Sequence, residues 1–133
     1  MITEENKNLL FKDLSGRLSY GVKVAHTTLS DNMPKVWDVI GLPAVGLVDI
    51  IVPGKYRFAA VPVEEIKPYL RSMDSMTEEE REEYDKWHEE LEEGRIKDWK
   101  YAEYNDWLNA HRFDYSGLIE KDLAIKATEG MYE

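Results

Sequence analysis

No cysteine occurs in the 133 residues, which excludes disulfides, thiolate metal sites and cysteine nucleophiles and fits a reducing compartment. No apolar run approaches the roughly 20 residues that a membrane-spanning helix requires. The opening MITEENKNLL is polar and acidic, without the basic stretch and apolar core of a secretory signal. The expectation is a soluble, cytoplasmic protein with no membrane partner.

Catalytic signatures are missing as well. There is no GxSxG elbow and no GxGxxG turn, and GLPAVG at 41–46 is followed by Leu47 and Val48, where a phosphate loop would place lysine and a hydroxyl. The three histidines, His26, His88 and His111, form no i,i+4 pair of the kind that grips zinc, and HEEL at 88–91 lacks the second histidine of a zincin helix. With 27 Asp and Glu, chance carboxylate pairs swamp any glycosidase-like signal. No catalytic residue, metal or cofactor is assigned. An enzyme reading would require a pocket that brings a histidine and a carboxylate within hydrogen-bonding reach.

What the chain does hold is enough apolar content, 43%, to build a core, and an excess of acid confined to one half. Residues 1–73 carry nine Lys/Arg against eight Asp/Glu, a net of +1, whereas residues 74–133 carry eight against nineteen, a net of −11. The division expected is a near-neutral unit at 1–73, an N-terminal helix plus a small β-domain, followed by an acidic helical region at 74–133, with RSMDSM as the connector. A net charge of −10 argues against phosphate-backbone binding by the chain as a whole.

The centre of the acid is the stretch SMTEEEREEYDKWHEELEEG, 75–94. Thr77 and Glu80 have capping-box spacing, Glu78, Glu79 and Glu80 suit the positive end of a helix dipole, and Tyr84, Trp87 and Leu91 fall on one stripe. Gly94 is a natural stop. Between Thr77 and Glu93 there are ten acidic and two basic side chains. Such a run is usually a solvated face; the alternative is an acidic docking surface for a basic partner.

In chain order, Thr3 to Leu14 predicts an amphipathic helix stopped by Ser15-Gly16. Alternation from Val22 to Thr27 predicts a strand, with a turn at Asp31-Asn32. Lys35–Ile40, closed by Gly41 and Pro43, predicts a second strand, Val45–Val52 the central strand, and Lys55–Ala60 another. Glu64–Ile66 reads as a closing strand or a single helical turn before Pro68. Four to five short strands suggest a small antiparallel sheet, barrel-like or an open meander. Beyond the acidic helix, Arg95–His111 predicts a second helix with Tyr104, Trp107, Leu108 and His111 on one face. Asp114 suggests the cap of a third, from about Tyr115 to Ile125, with Leu118, Ile119 and Leu123 inward. Residues 127–133 read as a tail that Met131 and Tyr132 could anchor. The fold class expected is α+β, ending in two to three helices.

Two candidate surfaces emerge. Trp87, Trp99, Tyr101, Tyr104 and Trp107, with Glu79, Glu83 and Glu90, would form a protein-interaction face. Lys35, Trp37, Lys55 and Arg57 interleave cations with rings, including Tyr56 and Phe58, as single-stranded nucleic acid requires. Strand alternation, however, sends Tyr56 and Phe58 to the face opposite Lys55 and Arg57, so core packing is the simpler role for the rings.

Three stretches, YGVKV at 20–24, VEEIKPYLRSMDSMTEEE at 63–80 and DWLNAHRFDYSGLIEKDLAIKATEGMY at 106–132, resemble an uncharacterised family of small acidic proteins from gut Bacteroidales genomes, associated with prophages or other mobile elements. They span about a third to two-fifths of the chain. The middle, residues 31–60, is longer and more apolar than that family would suggest. The resemblance implies a bacterial, cytoplasmic, accessory role and carries no activity, cofactor or site residue with it. The function expected is a noncatalytic protein-interaction module with an unidentified protein partner. The alternative is a nucleic-acid-associated protein, binding through the β half or using the acidic half as a mimic that occupies a DNA-binding protein.

Overall fold

The structure, a computed structural model, describes residues 2–26, 36–51, 58–92, 98–128 and 130–132; at 58, 91, 92 and 98–100 the description covers the backbone only. The architecture is α+β, with an N-terminal helix, a six-stranded mixed sheet that does not close, and two later helices.

Helix α1 spans Glu4–Arg17 and starts at Thr3, whose hydroxyl accepts the Asn6 amide at 3.1 Å, satisfying one of the amides a helix start leaves open. It runs through Ser15-Gly16 rather than stopping there. The Ser15 hydroxyl turns back onto the Phe11 carbonyl at 2.9 Å, and a buried Asp13–Arg17 pair one turn apart ties the last turn together. A mid-helix glycine costs only about 1 kcal/mol, which the helix tolerates at Gly16. The stop is Gly21, at φ +84°, after a 3-10 turn at Leu18–Tyr20.

The strands are β1 (Lys23–His26), β2 (Trp37–Ala44), β3 (Leu47–Ile51), β4 (Phe58–Pro62), β5 (Ile66–Leu70) and β6 (Ile125–Lys126), in the order β4-β3-β2-β1-β5-β6. All neighbours are antiparallel except β5 and β6, which are parallel. Two expectations are corrected. First, β2 continues through Gly41 and Pro43, because register shifts between Val39 and Ala44 leave Pro43 outside the ladder, where its missing N–H breaks no bond. Second, the apolar run at 45–52 begins with the hairpin turn at Val45-Gly46 and supplies β3, which lies next to the edge strand, not at the centre. Of the two readings of Glu64–Ile66, the helical turn before Pro68 holds: Val63–Glu65 form a 3-10 turn, and Ile66 then begins β5, which runs on through Pro68. The Asp31-Asn32 turn, Lys35, residues 55–57 and Gly94 lie outside the described residues.

Val24, Trp37, Val39, Val48, Ile50, Ile66 and Leu70 line one face of the sheet, and Leu10 and Leu14 of α1 join them in a single core. Each such side chain contributes on the order of 1.5–3 kcal/mol by leaving water. Trp37 is therefore core, 6% exposed, not part of a nucleic-acid face. Lys23 and Asp38, paired across β1 and β2, meet on the other face at 3.0 Å, as expected for a sheet with one wet side.

Helix α2 spans Glu78–Glu92 and α3 spans Asp98–Ala110. Among the described residues, no third helix follows. Residues 115–124 form turns, with φ +74° at Gly117 and +59° at Asp122, and these left-handed residues forbid helix continuation. Asp114 still works as a cap, accepting the Leu118 and Ile119 amides at 2.8 and 3.0 Å. The turns deliver Leu118, Leu123 and Ala124 into the same core as α1 and the sheet, so buried packing crosses the charge boundary at 73/74. Tyr132 anchors the C-terminal segment, its hydroxyl accepting the Lys23 amide at 3.0 Å and donating to the Tyr69 carbonyl. Among the described residues, no helix is long and apolar enough to cross a membrane.

Candidate functional site

The α2 start is a closed capping box: the Thr77 amide donates to Glu80 Oε1 at 2.9 Å and the Glu80 amide to the Thr77 hydroxyl at 3.2 Å. That box sets the rotation of α2 and directs Tyr84, Trp87 and His88 toward α3. From α3, Tyr104 and Trp107 meet them. Ring centroids lie 6.4 Å apart for Tyr84–Trp107, 5.7 Å for Trp87–Tyr104 and 4.3 Å for Tyr84–His88. The seam continues from Trp107 to His111 at 4.7 Å and to buried Phe113 at 5.7 Å. Tilted ring pairs of this kind contribute about 0.5–1.5 kcal/mol each beyond their area, so a stripe on each helix suffices to hold the hairpin. Burial, with Tyr84 adding to it, pushes the Tyr104 phenol up to about 12, which keeps the ring neutral.

On the outer side of this seam lies a groove of about 320 Å³ lined by Trp87, Trp107, Glu83, Glu90, Glu103 and Lys86. Trp107 Nε1 donates to Glu83 Oε2, fixing one indole against one carboxylate. Among the described residues of the lining, three carboxylates and one ammonium give a formal charge of −2.

Of the expected interaction residues, the structure gathers Trp87, Trp107, Glu83 and Glu90 in the groove and Tyr104 behind Trp87. Tyr101 is 48% exposed and Glu79 is exposed on α2, both outside the groove lining. The Trp99 side chain lies outside the described residues, as do Lys35, Lys55 and Arg57. Sequence reading missed Glu103, although it stands one helical turn before Trp107 and so shares its face.

A second concavity, about 510 Å³, is lined in part by Arg71, Glu80, His111, Arg112 and Tyr132. It does bring a histidine to a carboxylate, with His111 Nε2 at 3.7 Å from Glu80 Oε2. That carboxylate is already engaged. Arg71 forks onto it at 2.7 and 2.8 Å, and these bonds, with the Thr77 amide, outweigh burial and hold its pKa down at about 2, far from the range of a general base at neutral pH. His111 Nδ1 lies 2.8 Å from the Trp107 carbonyl and its ring stacks on Phe113 at 5.8 Å. Arg112, at φ +58°, bonds the Tyr20, Gly21 and Ala110 carbonyls. This concavity is the joint between the hairpin and the sheet: Glu80 reaches from α2 to Arg71 just beyond β5, and Arg112 from the end of α3 to the turn before β1. Among the described residues, no group of three His, Cys, Asp or Glu side chains is arranged to hold a metal ion.

No family model, curated protein or solved structure matches the chain.

Proposed function

We propose that the chain is a noncatalytic protein-interaction module whose contact surface is the outer face of the α2–α3 hairpin. The observation that supports this is the groove itself. Two indoles stay only half-buried at its walls, beside three carboxylates, although each also meets a tyrosine ring of the facing helix. Half-exposed tryptophans ringed by charge are the composition of interface anchors. The acid excess of α2 adds long-range attraction for a basic partner. A bacterial, cytoplasmic, accessory role, as the resemblance to mobile-element proteins implies, fits a module that acts by occupying another protein.

Cross-linking in a native host followed by affinity purification tests the reading. Wild type and Val45→Asn, altered on the 89%-exposed tip of the β2–β3 hairpin, retain one stoichiometric partner, and Trp87→Ala/Trp107→Ala loses it. Recovery of the same partner by a double variant with unchanged far-UV circular dichroism would overturn the assignment.

A further inference from the structure

Resting on that reading of the hairpin, we propose that the groove takes one arginine side chain from an exposed segment of the partner protein. The reasoning begins with how this chain treats its own arginines. Arg17 lies 4.7 Å above the Tyr115 ring and forks onto Asp13 at 2.8 and 3.1 Å. Arg71 lies 4.5 Å above the Phe113 ring and forks onto Glu80 at 2.7 and 2.8 Å. In each case a ring face and a carboxylate hold the two sides of one guanidinium. The groove repeats that pairing, with the Trp87 and Trp107 rings beside Glu83, Glu90 and Glu103, and among the described residues its lining includes no arginine.

Arginine suits this pairing better than lysine. A guanidinium is flat, weakly hydrated and forked, so it stacks on an indole face and bonds a carboxylate at once, whereas an ammonium is a strongly hydrated point charge. Trp is the best ring for a cation. The volume, about 320 Å³, lies at the bottom of the range of ligand sites and accommodates one long unbranched side chain. Lys86 on the rim opposes entry of a cation, which gives the proposal a test with two signs.

The measurement is a titration of the full-length ¹⁵N-labelled chain with a capped pentapeptide carrying one arginine between glycines, and with its lysine and citrulline counterparts. The indole N–H signals of Trp87 and Trp107 report binding. The arginine peptide is expected to shift both signals saturably with a Kd of about a millimolar, and citrulline, isosteric and neutral, to bind about tenfold more weakly or worse. Glu83→Gln keeps an acceptor for the Trp107 indole while removing one charge, and Glu103→Gln removes another; each is expected to weaken the arginine peptide about threefold, and Lys86→Ala to strengthen it by a similar factor. Equal binding of citrulline and arginine would overturn the proposal, as would weaker binding in Lys86→Ala or stronger binding in Glu103→Gln. A response that appears only in Arg95→Ala would assign the groove to this chain's own arginine and overturn it too. If no peptide binds but the cross-linked partner still depends on Trp87 and Trp107, the arginine assignment fails and the interaction module stands. If the partner is independent of both residues, the module reading fails.

Discussion

Arg17 is fully enclosed, and its charge is answered by Asp13 one turn back and by the Phe113 carbonyl at 2.7 Å. Through it, α1 grips the segment that follows α3. Replacing Arg17 by Met leaves Asp13 buried without its partner and is expected to cost about 3–5 kcal/mol. The double replacement Asp13→Leu/Arg17→Met removes both charges and is expected to recover most of that loss. Urea unfolding of the two variants checks the pair, and a double variant as unstable as the single would show that the ion pair is not the source. Glu80 makes a pH prediction at the same scale. Its folded pKa, about 2, lies below the 4.5 of the free carboxyl. Its contribution is therefore complete above about pH 4.5 and is lost as pH falls toward 2. Glu80→Gln is expected to be less stable than wild type by roughly 1–3 kcal/mol at pH 7. The two unfolding curves should converge across that acid window, because the other carboxylates titrate in both proteins.

Local order was readable where it depends on side chains three or four apart. Thr77 and Glu80 close the box that their spacing announces, and Thr77→Ala is expected to cost about 1 kcal/mol in a thermal melt, with Thr77→Ser close to wild type. The same window misleads where the decisive interaction is distant or left-handed. Ser15-Gly16 reads as a stop because the Asp13–Arg17 anchor onto residue 113 is invisible in sequence. Leu118, Ile119 and Leu123 have helical spacing and are inward, yet Gly117 and Asp122 bend the chain into turns, and Asp122 carries no mark of its positive φ. A two-residue strand such as β6, paired in parallel with β5 more than fifty residues away, leaves no periodic trace. At the candidate site, the helical positions of Trp87 and Trp107 were legible, while the joining of Glu103 to them, and of His111 to Glu80, required the hairpin geometry.

Across the whole molecule, the charge boundary and the packing boundary do not coincide. Leu118, Leu123 and Ala124 share one core with α1 and the sheet, although they belong to the acidic half of the sequence. The hairpin stands differently toward that core. No described side chain of α2 is fully buried, and α3 buries Leu108 and Asn109 in its last turn, neither of them part of that core cluster. Ten carboxylates against two cations between Thr77 and Glu93 add self-repulsion. The stability of backbone amides is thus expected to be graded. Native-state hydrogen exchange should show α1, β1 and β5 opening only with global unfolding, and α2 opening sub-globally at lower free energy. Salt should narrow the gap, since screening at high ionic strength relieves repulsion among exposed glutamates and leaves the buried core unchanged. Equal protection of α2 and β1 at low salt would mean that the aromatic seam binds the hairpin as tightly as the core binds the sheet. The acidic helix would then be an integral layer of the fold, and its glutamate face the only part of it free to act.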